Sequence, residues 1–281
     1  MRRKLARSIA AALIASGIAV TISAASAQAS AREFSVSDWI SSFSSPGNLY
    51  GPWSIQTARY QFHAGKDIPS ITLFIRNDRD RPVASGSHAL YLDDYHNWSP
   101  RFFSYAQVSV ASGDIQPNRM VYAEGDWKFG ERGTTVMALG GATMANPDTT
   151  STRYLSVGPT LYRGMMVYTL RFLPSDTNGV HASATQFTAE FNGLGSNQFI
   201  ANFLDGSQPS VLVGFPPASS RFQRLTEFDL TWKHWVTKRF GFTLGTTIGS
   251  HLDRATGAPI YAQRAIEFGL FFGRSIGLPR S

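Results

Sequence analysis

Hydrophobic and polar positions alternate with a period of two through the carboxyl-terminal part of the chain. In residues 222–235 one face takes Thr226, Phe228, Leu230 and Trp232, and the other takes Glu227, Asp229, Thr231 and Lys233. Residues 239–252 repeat the pattern, with Phe240, Phe242, Leu244 and Ile248 set against Gly241, Thr243, Gly245, Thr247 and Gly249. Ile266, Phe268, Leu270 and Phe272 then alternate with Ala265, Glu267 and Gly269. Successive side chains of a strand point to opposite faces, so the apolar set meets one medium and the polar set another. A strand with lipid on one side and a polar lumen on the other has this pattern.

The same alternation recurs upstream, broken by connections that switch between short and long. Short ones fall near residues 64–66, 99–100, 130–133, 163–164, 192–196 and 237–238. Longer polar ones fall near 78–87, 112–118, 146–152, 175–179, 206–221 and 253–259. Tight turns at one end and longer loops at the other predict an all-β, transmembrane, antiparallel up-and-down barrel, with the turns periplasmic and the loops outside the cell. Counting back from a descending last strand gives 12–14 strands, according to whether residues 33–43 supply a first ascending one. Runs such as 222–235 are longer than the roughly 5–6 residues usual in soluble strands and suit a tilted span of about 9–11 or more. Aromatics near strand ends (Trp98, Phe102, Phe103, Trp232, Trp235) predict an interfacial girdle.

The amino terminus carries Arg2, Arg3, Lys4 and Arg7, then an apolar stretch from Ser8 to Ile22 and the small-residue site Ala27-Gln28-Ala29. This predicts a secretory signal at residues 1–29, cleaved after Ala29. The apolar run is interrupted by Ser16 and Gly17 and is shorter than the ~20 residues of a spanning helix. The expected organisation is therefore signal peptide 1–29, an amino-terminal segment 30–51 holding the possible first strand, barrel 52–272 and a carboxyl-terminal tail 273–281.

Composition narrows the chemistry. There is no cysteine, which removes disulfide frameworks, thiolate catalysis and cysteine zinc sites together. Charged residues make up 16% of the chain, against about 25% in ordinary soluble domains. Four of the 26 basic residues and none of the 19 acidic ones lie in the signal, leaving a balance of +3. The basic residues are scattered and no reader motif gathers them, so no nucleic-acid partner is expected.

Several segments form a familiar set: YAEGDWKF at 122–129, YLSVGPTLYRGMMVYTLRFLPSDTNGV at 154–180, WKHW at 232–235 and EFGLFF at 267–272. In order and strand pattern the chain from Pro52 to Phe272 resembles the YaiO-family outer-membrane β-barrels. The resemblance implies an outer-membrane barrel with no assigned biochemical activity and supplies no catalytic residues. Some members carry a helical repeat domain before the barrel, which is not expected here. Such barrels usually finish on an aromatic residue, whereas here Phe272 is followed by residues 273–281.

Few motifs carry chemistry. Gly273-Arg274-Ser275-Ile276-Gly277 matches a nucleophile elbow by letters, but that motif needs a following helix. His63, His88, His96, His181, His234 and His251 show no metal-ligand spacing and read as solvated or girdle residues. Asp93 and Asp94 face opposite ways on a strand and cannot share a proton. His181-Ala182-Ser183 is similar to the His-x-Ser pair of outer-membrane phospholipase A and lipid A deacylases. Period two places His181 and Ser183 on the lipid face with Phe187 and Phe191, near the outer leaflet. A serine nucleophile needs a base, and the base needs an orienting group. Glu190 faces the lumen, Asn192 and Asn197 lie at the far end, and Asp176 falls within the expected loop 175–179, so the pair is read as inactive.

The polar face of the strands carries Tyr122, Glu124, Asp126, Lys128, Thr169, Arg171, Glu190, Glu227, Asp229, Lys233 and Glu267, which predicts either a paired lumen network or a narrow pore. The sequence thus supports an integral outer-membrane barrel with a structural, interaction or envelope-accessory role. A small-solute channel is one alternative, and an acyl hydrolase using His181 and Ser183 is the other. No catalytic, cofactor-binding or metal residues are assigned and no cofactor is expected. The expected partners are outer-membrane lipid and the barrel assembly machinery, with envelope or polysaccharide partners unspecified.

Overall fold

The computed structural model describes residues 30–45, 51–78, 85–113, 117–130, 134–146, 149–192, 196–207 and 223–275. The expected signal at 1–29, most of the loop 206–221 and the end of the tail lie outside the described residues. The strands are β1 (Ser30–Ser44), β2 (Trp53–Phe62), β3 (Asp67–Asp78), β4 (Ser85–Ser99), β5 (Phe102–Gly113), β6 (Arg119–Phe129) and β7 (Thr135–Ala145). They continue as β8 (Ser151–Arg163), β9 (Met166–Thr177), β10 (Val180–Phe191), β11 (Asn197–Gly206), β12 (Gln223–Trp235), β13 (Phe240–Asp253) and β14 (Pro259–Ser275). Each pairs antiparallel with its sequence neighbours, and β1 pairs with β14 to close a 14-stranded barrel. No helix among the described residues is long and apolar enough to cross a membrane.

Closure settles the strand count at the larger of the two expected values. β1 is the strand anticipated at 33–43, and its ladder with β14 runs from Glu33↔Gly273 to Ser44↔Ala262. The barrel therefore begins at Ser30, not Pro52, and extends past Phe272 to Ser275. The elbow-like Gly273-Arg274-Ser275 accordingly belongs to a strand end.

The alternation places the two faces as expected. Exposed apolar side chains on every strand form a continuous outer belt, among them Ile40, Leu73, Leu139, Leu170, Phe203 and Ile266, the last 68% exposed. A water-facing surface of this kind would be an aggregation site, whereas lipid covers it without cost. At the short-turn end the belt finishes in aromatic rings. Phe191, Phe199, Trp232 and Phe242 follow one another at centroid spacings of 6.4, 6.2 and 5.1 Å, and Phe102 lies 5.0 Å from Trp127. Two residues assigned to this girdle turn inward instead. Phe103 is buried on the lumen face, and Trp235 packs edge-on against Phe271 at 4.6 Å.

The connection between β9 and β10 also differs from expectation. Instead of a loop at 175–179, the strands run to Thr177 and from Val180, joined by Asn178-Gly179 alone. Both turn residues have positive φ, 49° and 83°, the conformation of a type I′ hairpin, which Asn-Gly adopts more readily than other dipeptides. Asp176 caps the turn by accepting a hydrogen bond from the Gly179 amide at 3.2 Å.

Leu244 points outward at mid-strand, while Thr231 points inward beside Gly245 and Glu267. Leu244→Lys is expected to cost roughly 2–4 kcal/mol and to reduce the folded, heat-modifiable band on a gel. Thr231→Lys, placed near a carboxylate, should leave that band at the wild-type level. Equal losses in the two variants would show that the face assignment is wrong.

Candidate functional site

The interior is divided into two unlike walls. From β14 around through β8, large rings and chains fill it: Trp39, Trp53, Phe74, Tyr91, Tyr105, Met120 and Tyr122 form one buried cluster with Tyr261. Trp53 lies 4.0 Å from Phe43 by ring centroid, and the Arg76 guanidinium sits 4.3 Å over the Trp53 ring while its Nε donates to Asp78 Oδ1 at 2.8 Å. The opposite wall, β10 to β14, has small or polar inward residues, with Gly241, Gly245 and Gly249 along β13 and Gly269 on β14. At its short-turn end stand Trp235 and Phe271. At its long-loop end His251 stacks on Tyr261 at 3.9 Å.

Between those aromatic pairs lie carboxylates held by neutral donors. Asp229 Oδ1 accepts from Thr247 Oγ1 at 2.6 Å, and its Oδ2 accepts from Asn202 Nδ2 at 3.1 Å. Asn202 Oδ1 in turn accepts from Gln186 Nε2 and Thr188 Oγ1, so one hydrogen-bonded line crosses β10 to β13. Gln198 Nε2 donates to Glu190 Oε1 at 2.7 Å. Glu267 stands beside Gly245 and is hydrogen-bonded to Ser37. Glu227, only 9% exposed, faces Gly249 and makes no side-chain hydrogen bond or ion pair among the described residues.

The inward-pointing bases are committed elsewhere. Arg59 pairs with Asp93 at 3.3 Å, Arg76 with Asp78, and Lys233 with Glu33 at 2.8 Å. Lys128 lies 5.2 Å over Phe103, two residues along the same face from Asp126. Arg171 has a structural task. The β8–β9 ladder is interrupted where Gly158 and Pro159 oppose Arg171 and Leu170, because proline has no amide hydrogen to donate. Gly158 comes so close to the Leu170 carbonyl that a Cβ there would sit 2.1 Å from its oxygen. Arg171 Nη1 donates into this seam, to the carbonyls of Gly158 at 3.1 Å and of Pro159 and Leu170 at 3.3 Å. Its Nη2 lies 3.7 Å from Glu124, which Tyr122 and Ser156 also hold.

On the outer face, the structure overturns one premise of the His181/Ser183 reading. Asp176 is not in a loop but on β9, directly opposite His181 in the ladder, with Oδ2 3.2 Å from His181 Nδ1. The orienting acid is therefore present on a strand, delivered by the two-residue turn. Ser183 shares the outward face, but its hydroxyl makes no hydrogen bond among the described residues, and the His181 side chain is 85% exposed. His96, read as solvated or girdle, is paired with Asp67, and with Asp94 the two form a group with ligand atoms within 4.8 Å of one another on the outer face. No sequence spacing announces that group, since β3 and β4 bring it together. His251 is a lumen residue, not a girdle one. Asp93 and Asp94 do face opposite ways.

A family model described as the YaiO membrane beta barrel domain matches residues 31–210. The fold is similar to the CymD monoaromatic hydrocarbon channel at 7% identity, with a TM-score of 0.60 over 96% of this chain and 95% of that one. It is also similar to the Ralstonia pickettii toluene transporter TbuX at 10% identity, with a TM-score of 0.55 over 95% of each chain. No curated protein sequence matches the chain.

Arg171→Met removes the donors of the β8–β9 seam and leaves Glu124 buried without its cation. Breaking a buried pair in this way costs about 3–5 kcal/mol. A fall in the temperature at which the folded gel band converts is expected, with Arg153→Met on the outer face as control. Unchanged conversion in Arg171→Met would mean that the seam does not depend on the guanidinium.

Proposed function

This chain belongs to the YaiO membrane β-barrel family and is an outer-membrane protein; we propose that it works through its lumen, as a narrow conduit for small polar solutes. The observation that carries this reading is the contrast between the two interior walls. A lumen that served only as a packed plug would be filled and charge-paired on all sides, because a buried charge left unpaired costs several kcal/mol. The β1–β8 wall is packed with large side chains and holds the Arg59–Asp93, Arg76–Asp78 and Arg171–Glu124 pairs, with Asp126 buried there outside any ion pair among the described residues. On the β10–β14 wall, Gly249 withholds volume beside Glu227 and Gly245 beside Glu267, and no Lys or Arg pairs with these two carboxylates or with Asp229 among the described residues. Such carboxylates are tolerable when water solvates them, and a column of water along this wall is a path through the barrel.

The purified protein in a planar lipid bilayer is expected to give discrete conductance steps. Gly249→Phe should reduce or abolish them, because a Cβ at Gly249 has ordinary contacts at 3.7–3.8 Å, leaving the ring free to fill the groove. Absence of steps in the wild type, or equal steps in the variant, would rule out the conduit along this wall.

The Asp176–His181 contact supports a second reading, in which the outer face carries an acyl hydrolase with Ser183 as nucleophile. That reading requires the Ser183 hydroxyl to reach His181, and no bond joins them. With phospholipid and calcium, the barrel is therefore expected to release no fatty acid above a Ser183→Ala control. Release that is lost in Ser183→Ala, His181→Ala and Asp176→Asn alike would establish the enzyme instead.

A further inference from the structure

We propose that the lumen selects small cations, and that Glu227, Asp229 and Glu267 on the β12–β14 wall are the residues that do so; this rests on the conduit reading above. Glu227 and Asp229 are two residues apart on the inward face of β12. Glu267 lies on β14, opposite Gly245 of β13. The three carboxylates thus lie at successive levels of one wall, on β12 and β14 with β13 between them, and Gly249 leaves room beside Glu227. Their hydrogen-bond partners, Thr247, Asn202 and Ser37, are all neutral.

Among the described residues no base pairs with these three from across the lumen, and Lys128 lies over the Phe103 ring on the far wall. Arg59, Arg76 and Lys233 each hold an acid of their own, and Arg171 spends its hydrogen bonds on backbone carbonyls and the hydroxyl of Thr160 beside Glu124. Glu227 supplies the independent sign of a ligand, because the residue is only 9% exposed, and its carboxylate faces Gly249 and makes no hydrogen bond or ion pair among the described residues. A carboxylate in that position is stabilised by a mobile cation or by the water that accompanies one.

The arrangement also indicates how tightly the cation is held. A resident divalent ion needs converging ligands, and among the described residues the grouping with ligand atoms within 4.8 Å is Asp67, Asp94 and His96 on the outer face, not these three. Acids spaced along a groove give successive weak sites, which favour entry without arresting the ion, the condition for conduction. A narrow, low-dielectric wall strengthens this bias, because a negative potential there both concentrates cations and repels anions.

The test is the reversal potential of the protein in a planar bilayer under a potassium chloride gradient. The wild type is expected to pass potassium over chloride by roughly five-fold or more, and the Glu227→Gln/Asp229→Asn/Glu267→Gln variant should approach unity. Asp205→Asn, on the outer face, should keep the wild-type ratio. The single variant Glu227→Gln, which neutralises a carboxylate that has no bonded partner among the described residues, guards against misfolding and should lower the ratio by itself. Conductance without cation preference, or a preference unchanged in these variants, overturns the selectivity assignment while leaving the conduit standing. Absence of conductance overturns both.

Discussion

The structure depends on one requirement of the lipid environment: every backbone amide and carbonyl at membrane depth must find its partner in a neighbouring strand. For an up-and-down sheet this forces the first strand onto the last, and the long β1–β14 ladder meets it. Side chains reinforce the joint. Lys233 on β12 reaches Glu33 on β1 across the lumen edge of β13 and β14, with its ammonium 4.3 Å over the Phe271 ring. Gly241 makes this possible, since a Cβ there would stand 2.2 Å from Phe271. At the break in the β8–β9 ladder beside Pro159, the same requirement recruits Arg171 as a substitute donor. A base that could have neutralised the interior is thereby committed to the wall.

Closing fourteen strands fixes an internal volume that side chains and water must share. The chain distributes its bulk unevenly, with tryptophan, tyrosine and phenylalanine on β1–β8 and glycine, threonine and asparagine on β10–β13. The aromatic wall is a packed buttress in which Tyr122 donates to Glu124 at 2.6 Å, while Gln107 Oε1 and Asp126 Oδ2 are buried there without a hydrogen bond among the described residues. The open wall gains little from packing and is stabilised by the hydrogen-bonded line from Gln186 to Thr247. Packing on one side holds the barrel's shape, and on the other side the hydrogen-bonded line is where the proposed water column would run.

The sequence disclosed the faces and not the pairings, for a physical reason. Period-two alternation reports the medium each residue meets, so Phe228, Leu230, Ile266 and Phe268 could be placed toward lipid and Glu227, Asp229 and Glu267 toward the lumen without knowing any neighbour. Pairing depends on register and on strands far apart in sequence, so the Lys233–Glu33 bridge and the Asp67–Asp94–His96 group left no mark in local spacing. The misplaced loop at 175–179 was different. Asn178-Gly179 is a strong hairpin signal, and reading it would have carried β9 through Asp176 and set that acid opposite His181. Trp235 and Phe103 misled because aromatic residues at strand ends serve a girdle or a core equally well, and only the parity of the strand decides.

Net charge was the least informative quantity of all. The expected mature balance is positive, yet the open wall of the interior is acidic, because the bases concentrate where the chain meets water. Lys66, Arg101, Arg163, Lys238 and Arg239 are all exposed at the short-turn end. Charges in that position are screened within about 8–10 Å at physiological salt. The lumen carboxylates stand among low-dielectric walls where screening is weak, so fewer of them set a stronger field. An ion inside the barrel therefore responds to the local wall of β12–β14, not to the sign of the whole protein. A barrel of this kind can be basic by titration and still favour cations along its axis.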